Sequence, residues 1–239
     1  MKASPSAPVI QGALVSKPVA TRNGIFFWLL RNLVRVRYTF FLVAFLAALG
    51  ARSVVALLVW VAVAFGAVLV HELGHALAAR FYRQDPRIEL HAMGGVTTWT
   101  WVDELKWHER LVIYLAGPGI GFVLAGLLYL AQLVAPLSGP SVLRLARYDF
   151  FWATIAWGVF NLLPVIPLDG GQALREILER RMGADAGRLL ARKISCVVGF
   201  AGLLTAFALD QMWAGFLCGI FAFDNLQRMR GLPGVALPR

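Results

Sequence analysis

Apolar residues along this chain are gathered into long runs that short polar connections separate. A run of about 20 apolar residues is long enough to cross the hydrocarbon core of a membrane as a helix. We predict six spans, the first of them short, at residues 37–51, 53–79, 111–135, 149–168, 187–209 and 212–223. A polar helix is expected at about 172–182, between the fourth and fifth spans.

Two segments depart from this pattern of spans. Residues 86–101 place Ile88 and Leu90 in alternation with polar residues and contain a Gly94-Gly95 turn, which predicts a short β-hairpin dipping toward the membrane. Residues 24–37 mix aromatic and aliphatic residues with arginine, which predicts an interfacial helix that leads into the first span. The expected fold is an all-α polytopic membrane protein with about six transmembrane helices and a small re-entrant β-hairpin.

Composition supports the membrane assignment and weakens a nucleic-acid one. Hydrophobic residues make up 59% of the chain and charged residues 15%, against about 45–50% apolar residues in ordinary soluble domains. The net charge of +10 comes from basic residues that lie between the apolar runs and form no single stripe, so we expect the lipid bilayer and no nucleic acid as a partner.

The basic residues also predict an orientation. In the six-span topology, 20 of the 23 Lys and Arg residues fall on one side, and the other side holds Arg52, Arg144 and Arg147. The positive-inside rule places the richer side in the cytoplasm. We therefore predict a multi-pass protein of the cell membrane with both termini, and the ends of the second and fourth spans, on the cytoplasmic side.

The expected domain organisation is simple. Residues 1–23 are rich in Pro, Ser and Ala and are interpreted as a flexible cytoplasmic tail, residues 24–230 as one membrane domain, and residues 231–239 as a C-terminal tail. Cys196 and Cys218 lie inside apolar runs without metal-ligand spacing, which is typical of buried free thiols.

The second span carries a motif with specific chemistry, His71-Glu72-Leu73-Gly74-His75. Residues four apart lie on one face of a helix, so His71 and His75 can direct ring nitrogens at one metal ion. Glu72 lies about 100° round the helix, where a carboxylate can reach a metal-bound water as a general base. A catalytic zinc normally takes three protein ligands, so a third ligand is expected elsewhere.

Asp169 is the candidate third ligand, with one competing interpretation. Asp169 followed by Gln172 three residues later also fits a capping box at the start of the polar helix. The fourth span ends at the same predicted depth as the histidine pair, and no acidic residue near that depth is a better candidate, which favours ligation. His91 and His108 lack helical spacing to the motif and are interpreted as surface or interfacial imidazoles.

These residues carry a resemblance to a known family. The His71–His75 pentapeptide in an early span, followed by residues 161–171 (NLLPVIPLDGG) in a later one, resembles the site-2 protease family of intramembrane zinc metalloproteases. The match covers most of residues 53–182 and includes the Gly94-Gly95 hairpin and the Ala116-Gly117-Pro118 helix start. Gly121 departs from the family, whose members often carry Asn there, and the departure leaves the zinc assignment intact.

The resemblance implies roles for individual residues. It implies that His71, His75 and Asp169 bind one Zn²⁺ per chain and that Glu72 activates water. It also implies that Asn161 helps to position an extended substrate, to which the hairpin around Gly94 and Gly95 offers an edge strand. The implied substrates are single-span membrane proteins. The connections are too short for an inserted PDZ domain and the C-terminus too short for a CBS pair, so we expect membrane partners, or a first cut of the substrate by another protease, to provide regulation.

The predicted function is intramembrane proteolysis by a zinc metalloendopeptidase, which cuts a peptide bond within or near the transmembrane segment of a substrate, as in regulated intramembrane proteolysis. Two alternatives compete with it. A non-catalytic membrane scaffold or a metal-handling permease could keep the same fold, but Glu72 then has no role. A membrane zincin with a glutamate as third ligand is disfavoured because no Glu occurs in a later span.

Overall fold

The computed structural model describes residues 14–47, 51, 53–100, 104–134 and 140–235, which form seven helices and five strands. The helices are α1 (Tyr38–Ala47), α2 (Val54–Phe81), α3 (Trp107–Val134), α4 (Ser141–Asn161), α5 (Asp169–Met182), α6 (Ala184–Ala208) and α7 (Met212–Met229). The strands are β1 (Val19–Thr21), β2 (Gly24–Leu29), β3 (Asn32–Arg37), β4 (Asp85–His91) and β5 (Gly94–Thr100).

Helices dominate the fold, as the apolar runs predict. Three of the described helices, α2, α3 and α6, are long and apolar enough to cross a membrane by length and composition. Helices α1 and α7 lie at the first and sixth predicted spans. The bounds of the fourth predicted span, 149–168, are wrong: α4 begins at Ser141 and ends at Asn161, because the following segment contains Pro164 and Pro167, which cannot continue a helix. The count of six spans stays a prediction. Parts of the predicted first and third spans, and the ends of both predicted tails, lie outside the described residues.

The expectation of an all-α chain with one hairpin is wrong for the N-terminal part. One sheet contains all five strands in the order β1-β2-β3-β4-β5. Strands β4 and β5 form the hairpin that residues 86–101 predict, but residues 24–37 form the hairpin β2–β3 and not an interfacial helix. Strand β1 lies within the predicted N-terminal tail and pairs with β2.

The two hairpins join through a parallel pairing of β3 with β4. Their inward-facing residues, Val34 and Val36 on β3 with Ile88 and Leu90 on β4, are almost completely buried. They pack with Phe40 of α1 and with Val68 and Ala76 of α2 in one core cluster. Burial of this alternating apolar face holds the sheet against the helix that carries the histidine motif.

Small residues bring α2, α3 and α4 close together. A side chain at Gly74 of α2 would come within 2.5 Å of the Ala116 carbonyl oxygen on α3. A side chain at Gly121 of α3 would lie 3.0 Å from Thr154 Cγ2 on α4. Small residues allow such close backbone approach between helices in membranes. Cys196 and Cys218 are buried free thiols, as predicted.

Candidate metal centre and active site

The histidine motif lies in the C-terminal third of α2, where one helix face is buried. The Nε2 atoms of His71 and His75 are 3.2 Å apart. Both residues are buried, with relative exposures of 4% and 5%. The i, i+4 spacing therefore places two ring nitrogens side by side, as the sequence predicts.

Asp169, at the first position of α5, completes the group. Its Oδ2 lies 3.0 Å from His71 Nε2 and 3.3 Å from His75 Nε2. The N-cap of α5 is Leu168, and the structure shows no side-chain hydrogen bond at this cap. The Asp169 carboxylate is thus directed at the two imidazoles and away from the capping role that its sequence context also permits.

The three side chains fit a metal ion. In the described part of the chain, these three side chains form a group that could hold a metal ion, with one ligand atom from each lying within 4.8 Å of the others. The Ile113 carbonyl oxygen lies 2.7 Å from His75 Nδ1. Because a carbonyl only accepts, Nδ1 carries the proton and the lone pair of Nε2 is available for a metal. Two imidazoles and one carboxylate are a donor set that zinc takes in catalytic sites.

Gly117 leaves room for His75. A Cβ atom at this position of α3 would overlap the imidazole of His75, including its Nε2 atom. The Ala116-Gly117-Pro118 sequence therefore serves the site directly, because α3 supplies both the carbonyl that orients His75 and the space for its ring.

Glu72 lies beside the group and contacts the hairpin. The Thr97 hydroxyl on β5 lies 2.7 Å from Glu72 Oε2 and 3.1 Å from the Glu72 carbonyl oxygen. A Cβ atom at Gly95 would come within 2.5 Å of the Glu72 side chain. Strand β5 thus contacts the carboxylate closely and orients it, and a side chain at position 95 would displace the Glu72 carboxylate.

A cavity of about 540 Å³ surrounds these groups. Its lining includes His71, Glu72, His75, Asp169, Gly95 and Asn161. Asn161, at the end of α4, is buried and donates a hydrogen bond from Nδ2 to the Trp157 carbonyl oxygen at 2.9 Å. Gly94 lines an adjoining apolar cavity of about 300 Å³ and packs against the Trp157 ring.

The two remaining histidines lie in different surroundings. His108 is exposed, as predicted. His91, at the end of β4, is buried and lines the cavity, so its interpretation as a surface or interfacial imidazole is wrong. Burial lowers the pKa of His91, and the nearby Arg37 adds to that effect while Glu89 opposes it.

Three features of the site have no sequence signal of their own. The Ile113 carbonyl is a backbone group, Thr97 is one of several threonines in a strand, and Trp157 lies in an ordinary apolar run. Trp157 packs edge-on against His71, with ring centroids 6.3 Å apart. Their roles follow from contacts between distant parts of the chain.

Comparison with known proteins finds zinc metalloproteases among the relatives of this chain. The model of peptidase family M50 matches residues 141–209. The chain is 32% identical over 188 residues to the putative zinc metalloprotease Rip3 of Mycobacterium tuberculosis, covering 70% of this chain and 46% of Rip3. It is 30% identical over 151 residues to a zinc metalloprotease of Methanocaldococcus jannaschii, covering 62% of this chain and 42% of that protein.

A solved structure shares the fold along nearly the whole chain. The site-2 protease from Methanocaldococcus jannaschii aligns with a TM-score of 0.61 at 23% identity, over 93% of this chain and 99% of that one. The chain spans less than half the length of the curated relatives that it matches. The family model and the metalloprotease relatives show that this chain is similar to members of peptidase family M50, and the solved structure shows that it shares the fold of a site-2 protease.

Proposed function

We propose that the protein is a zinc-dependent endopeptidase that cuts a peptide bond within or near the transmembrane segment of membrane-protein substrates. One observation carries the proposal. His71, His75 and Asp169 converge from two elements 98 residues apart in the chain, with the Glu72 carboxylate beside them in one cavity. The cavity lies against α2, a helix apolar enough to span a membrane.

His71, His75 and Asp169 are the proposed ligands of one Zn²⁺. Zinc bound there would supply Lewis-acid chemistry, which would make the attacking water more acidic and polarise the substrate carbonyl. The Nδ1 contact of His75 to Ile113 fixes the tautomer that ligation requires.

Glu72 is the proposed general base. Its carboxylate accepts the proton of the attacking water and returns a proton to the leaving amine when the peptide bond breaks. The Thr97 hydroxyl donates to Oε2, so it orients the carboxylate while the other oxygen stays available for the water. This contact comes from β5, 25 residues further along the chain.

Strand β5 is the proposed binding edge for the substrate. It is the last strand in the order of the sheet, and Gly95 to Trp99 line the cavity. A transmembrane helix hides its carbonyls in its own hydrogen bonds, so a substrate has to unwind before cutting. An unwound segment then adds to β5 by main-chain hydrogen bonds, with Gly94, Gly95 and Asn161 as proposed substrate-contact residues. Single-span proteins are the proposed substrate class, and regulatory membrane partners are a further expectation.

Substitution of the proposed base tests the function. Purified Glu72→Gln protein should retain zinc and should cut a co-expressed single-span substrate at least about 100-fold more slowly, since general-base catalysis contributes about 10²–10⁴-fold. Glu104→Gln is the matched control, because Glu104 is exposed and does not line the cavity. Equal cleavage rates for Glu72→Gln and the parent would refute the assignment of the base.

A further inference from the structure

The segment that ends at Asp169 is irregular, although it lies between two helices of a membrane protein. Residues 162–168 connect α4 to α5 and include Pro164 and Pro167, which have no backbone N–H. Non-helical backbone at membrane depth is stable only where protein groups satisfy its hydrogen bonds. The backbone groups of residues 162–168 therefore need hydrogen-bond partners from other parts of the protein.

Both backbone groups of Ile166, its N–H and its carbonyl oxygen, form hydrogen bonds with side chains. Its backbone N–H donates to Ser195 Oγ of α6 at 3.0 Å. Its carbonyl oxygen accepts from Asn225 Nδ2 of α7 at 2.6 Å. Ser195 and Asn225 both have a relative exposure of 0%. Two buried polar residues of different helices thus hold the two sides of a single residue.

Each of these side chains is itself held by its own helix. Ser195 Oγ donates to the Ala191 carbonyl oxygen at 2.8 Å. The second N–H of Asn225 Nδ2 donates to the Phe221 carbonyl oxygen at 2.8 Å. Because both carbonyls require donors, the orientation of the Asn225 amide is fixed by its neighbours. The pair therefore positions Ile166 from two rigid supports.

The position of Ile166 is transmitted to Asp169 through close packing. Side chains at Gly170 and Gly171 would overlap the backbone of Leu162 and Val165. Val165 and Leu168 are buried in a cluster with Leu217 and Phe221 of α7. The first turn of α5 thus rests directly on the backbone of the segment, with no flexible side chain between them.

We propose that Ser195 and Asn225 are positioning residues that set the place of the Asp169 carboxylate relative to His71 and His75. The proposal rests on the proposed function, in which these three residues bind zinc. A metal site requires its ligands to be held within about 0.5 Å of the productive geometry. Mutation of a residue that orients a ligand without touching the metal typically lowers the affinity for the metal about 10–100-fold. Helices α6 and α7 thereby contribute to a centre to which they supply no ligand.

The experiment uses the full chain in detergent, stripped of metal and titrated with zinc against a competing chelator. Ser195→Ala removes one hydroxyl, and Asn225→Leu replaces the amide by an apolar group of similar size. Each should weaken zinc affinity by about 10–100-fold, and the visible spectrum of the cobalt-substituted protein should change. Thermal unfolding of the metal-free proteins is measured in parallel.

Cys196→Ala is the matched control. Cys196 adjoins Ser195 in α6 and is buried, and its thiol donates across the same helix interface to the Ala222 carbonyl oxygen at 3.4 Å. This variant should bind zinc as the parent does and give the parental cobalt spectrum. An equal loss of zinc affinity in Cys196→Ala and Ser195→Ala would show that the effect arises from helix packing in general, and this result would overturn the proposal.

The remaining outcomes are also decisive. Ser195→Ala alone decides the question if Asn225→Leu does not fold. Unchanged zinc affinity in Ser195→Ala, with a parent that binds zinc, contradicts the positioning role and leaves the proposed function standing. A parent that binds no zinc contradicts the proposed function and, with it, this proposal.

Discussion

At the residue scale, the geometry of the candidate centre depends on a glycine as well as on the proposed ligands. Gly117 and Gly119 lie two residues apart in α3, on either side of Pro118. A Cβ atom at Gly117 would overlap the His75 imidazole, whereas a Cβ atom at Gly119 would meet nothing within 4 Å. A side chain at position 117 would therefore displace the His75 ring, whereas position 119, in the same turn of the helix, has room for a side chain.

We predict that Gly117→Ala displaces the His75 ring and weakens zinc affinity by at least about 10–100-fold, the range for changes next to metal ligands. The substitution should not destabilise α3 itself, since Ala is more favourable than Gly in a helix by about 1 kcal/mol. Gly119→Ala is the control and should bind zinc like the parent. Zinc competition titrations of both variants measure the difference, and equal affinities would show that α3 does not shape the site.

Sequence alone predicted the residues whose chemistry is distinctive. His71, Glu72 and His75 follow from helical spacing, and Asp169 follows from its depth at the end of a predicted span. The groups that orient them were not predictable in this way. The Ile113 carbonyl and the Thr97 hydroxyl acquire their roles only because α3 and β5 pack against α2.

At the scale of elements, the sheet links the apolar helices to the Glu72 carboxylate, the proposed general base. Its buried face packs on α2, and β5 extends from that face to Glu72. Glu89 on β4 pairs with Arg35 and Arg37 on β3, and Arg35 lies directly opposite Glu89 in the parallel register. The second hairpin is thereby fixed by the first.

Thr97→Val should separate metal binding from catalysis. A hydrogen bond to a charged group is worth about 1.5–3 kcal/mol, so loss of the contact to Glu72 should lower kcat by about tenfold or more. Zinc affinity should not change, because Thr97 touches no proposed ligand. The control is Thr100→Val, at an exposed position of the same strand. A parental kcat in Thr97→Val would show that Glu72 needs no orientation from β5.

The hairpin β2–β3 shows why part of the fold was not predicted. Leu30 and Arg31 form its two-residue turn with φ values of 49° and 64°. Such turns normally carry Asn-Gly or a similar pair, because other residues rarely adopt positive φ. Arg80 of α2 compensates, since its guanidinium donates to the Arg31 carbonyl oxygen and to Asn32 Oδ1. The alternation of Val34 and Val36 with arginines was the available strand signal, and the missing turn signal hid it.

At the scale of the whole molecule, the apolar helices and the basic residues together predict an orientation in the membrane. The sheet lies beside the C-terminal part of α2, and α5 lies beside α3 and α6 at the same end of the helices as the proposed zinc ligands. Basic residues are concentrated in these connections, with 20 of 23 on the predicted cytoplasmic side. The proposed orientation therefore places the centre near the cytoplasmic end of α2.

Single cysteines at the two ends of α6 test this orientation. Asp185 and Gln211 are exposed and lie at opposite ends of this candidate span. In a background with Cys196→Ala and Cys218→Ala, an impermeant maleimide added to intact cells should label Gln211→Cys and should leave Asp185→Cys unlabelled. Permeabilised cells provide the control, since both sites should then react. Labelling of Asp185→Cys alone in intact cells would show that the orientation is the reverse of the predicted one. The proposed centre would then lie near the outer side of the membrane, where cleavage could not release the cytoplasmic half of a substrate.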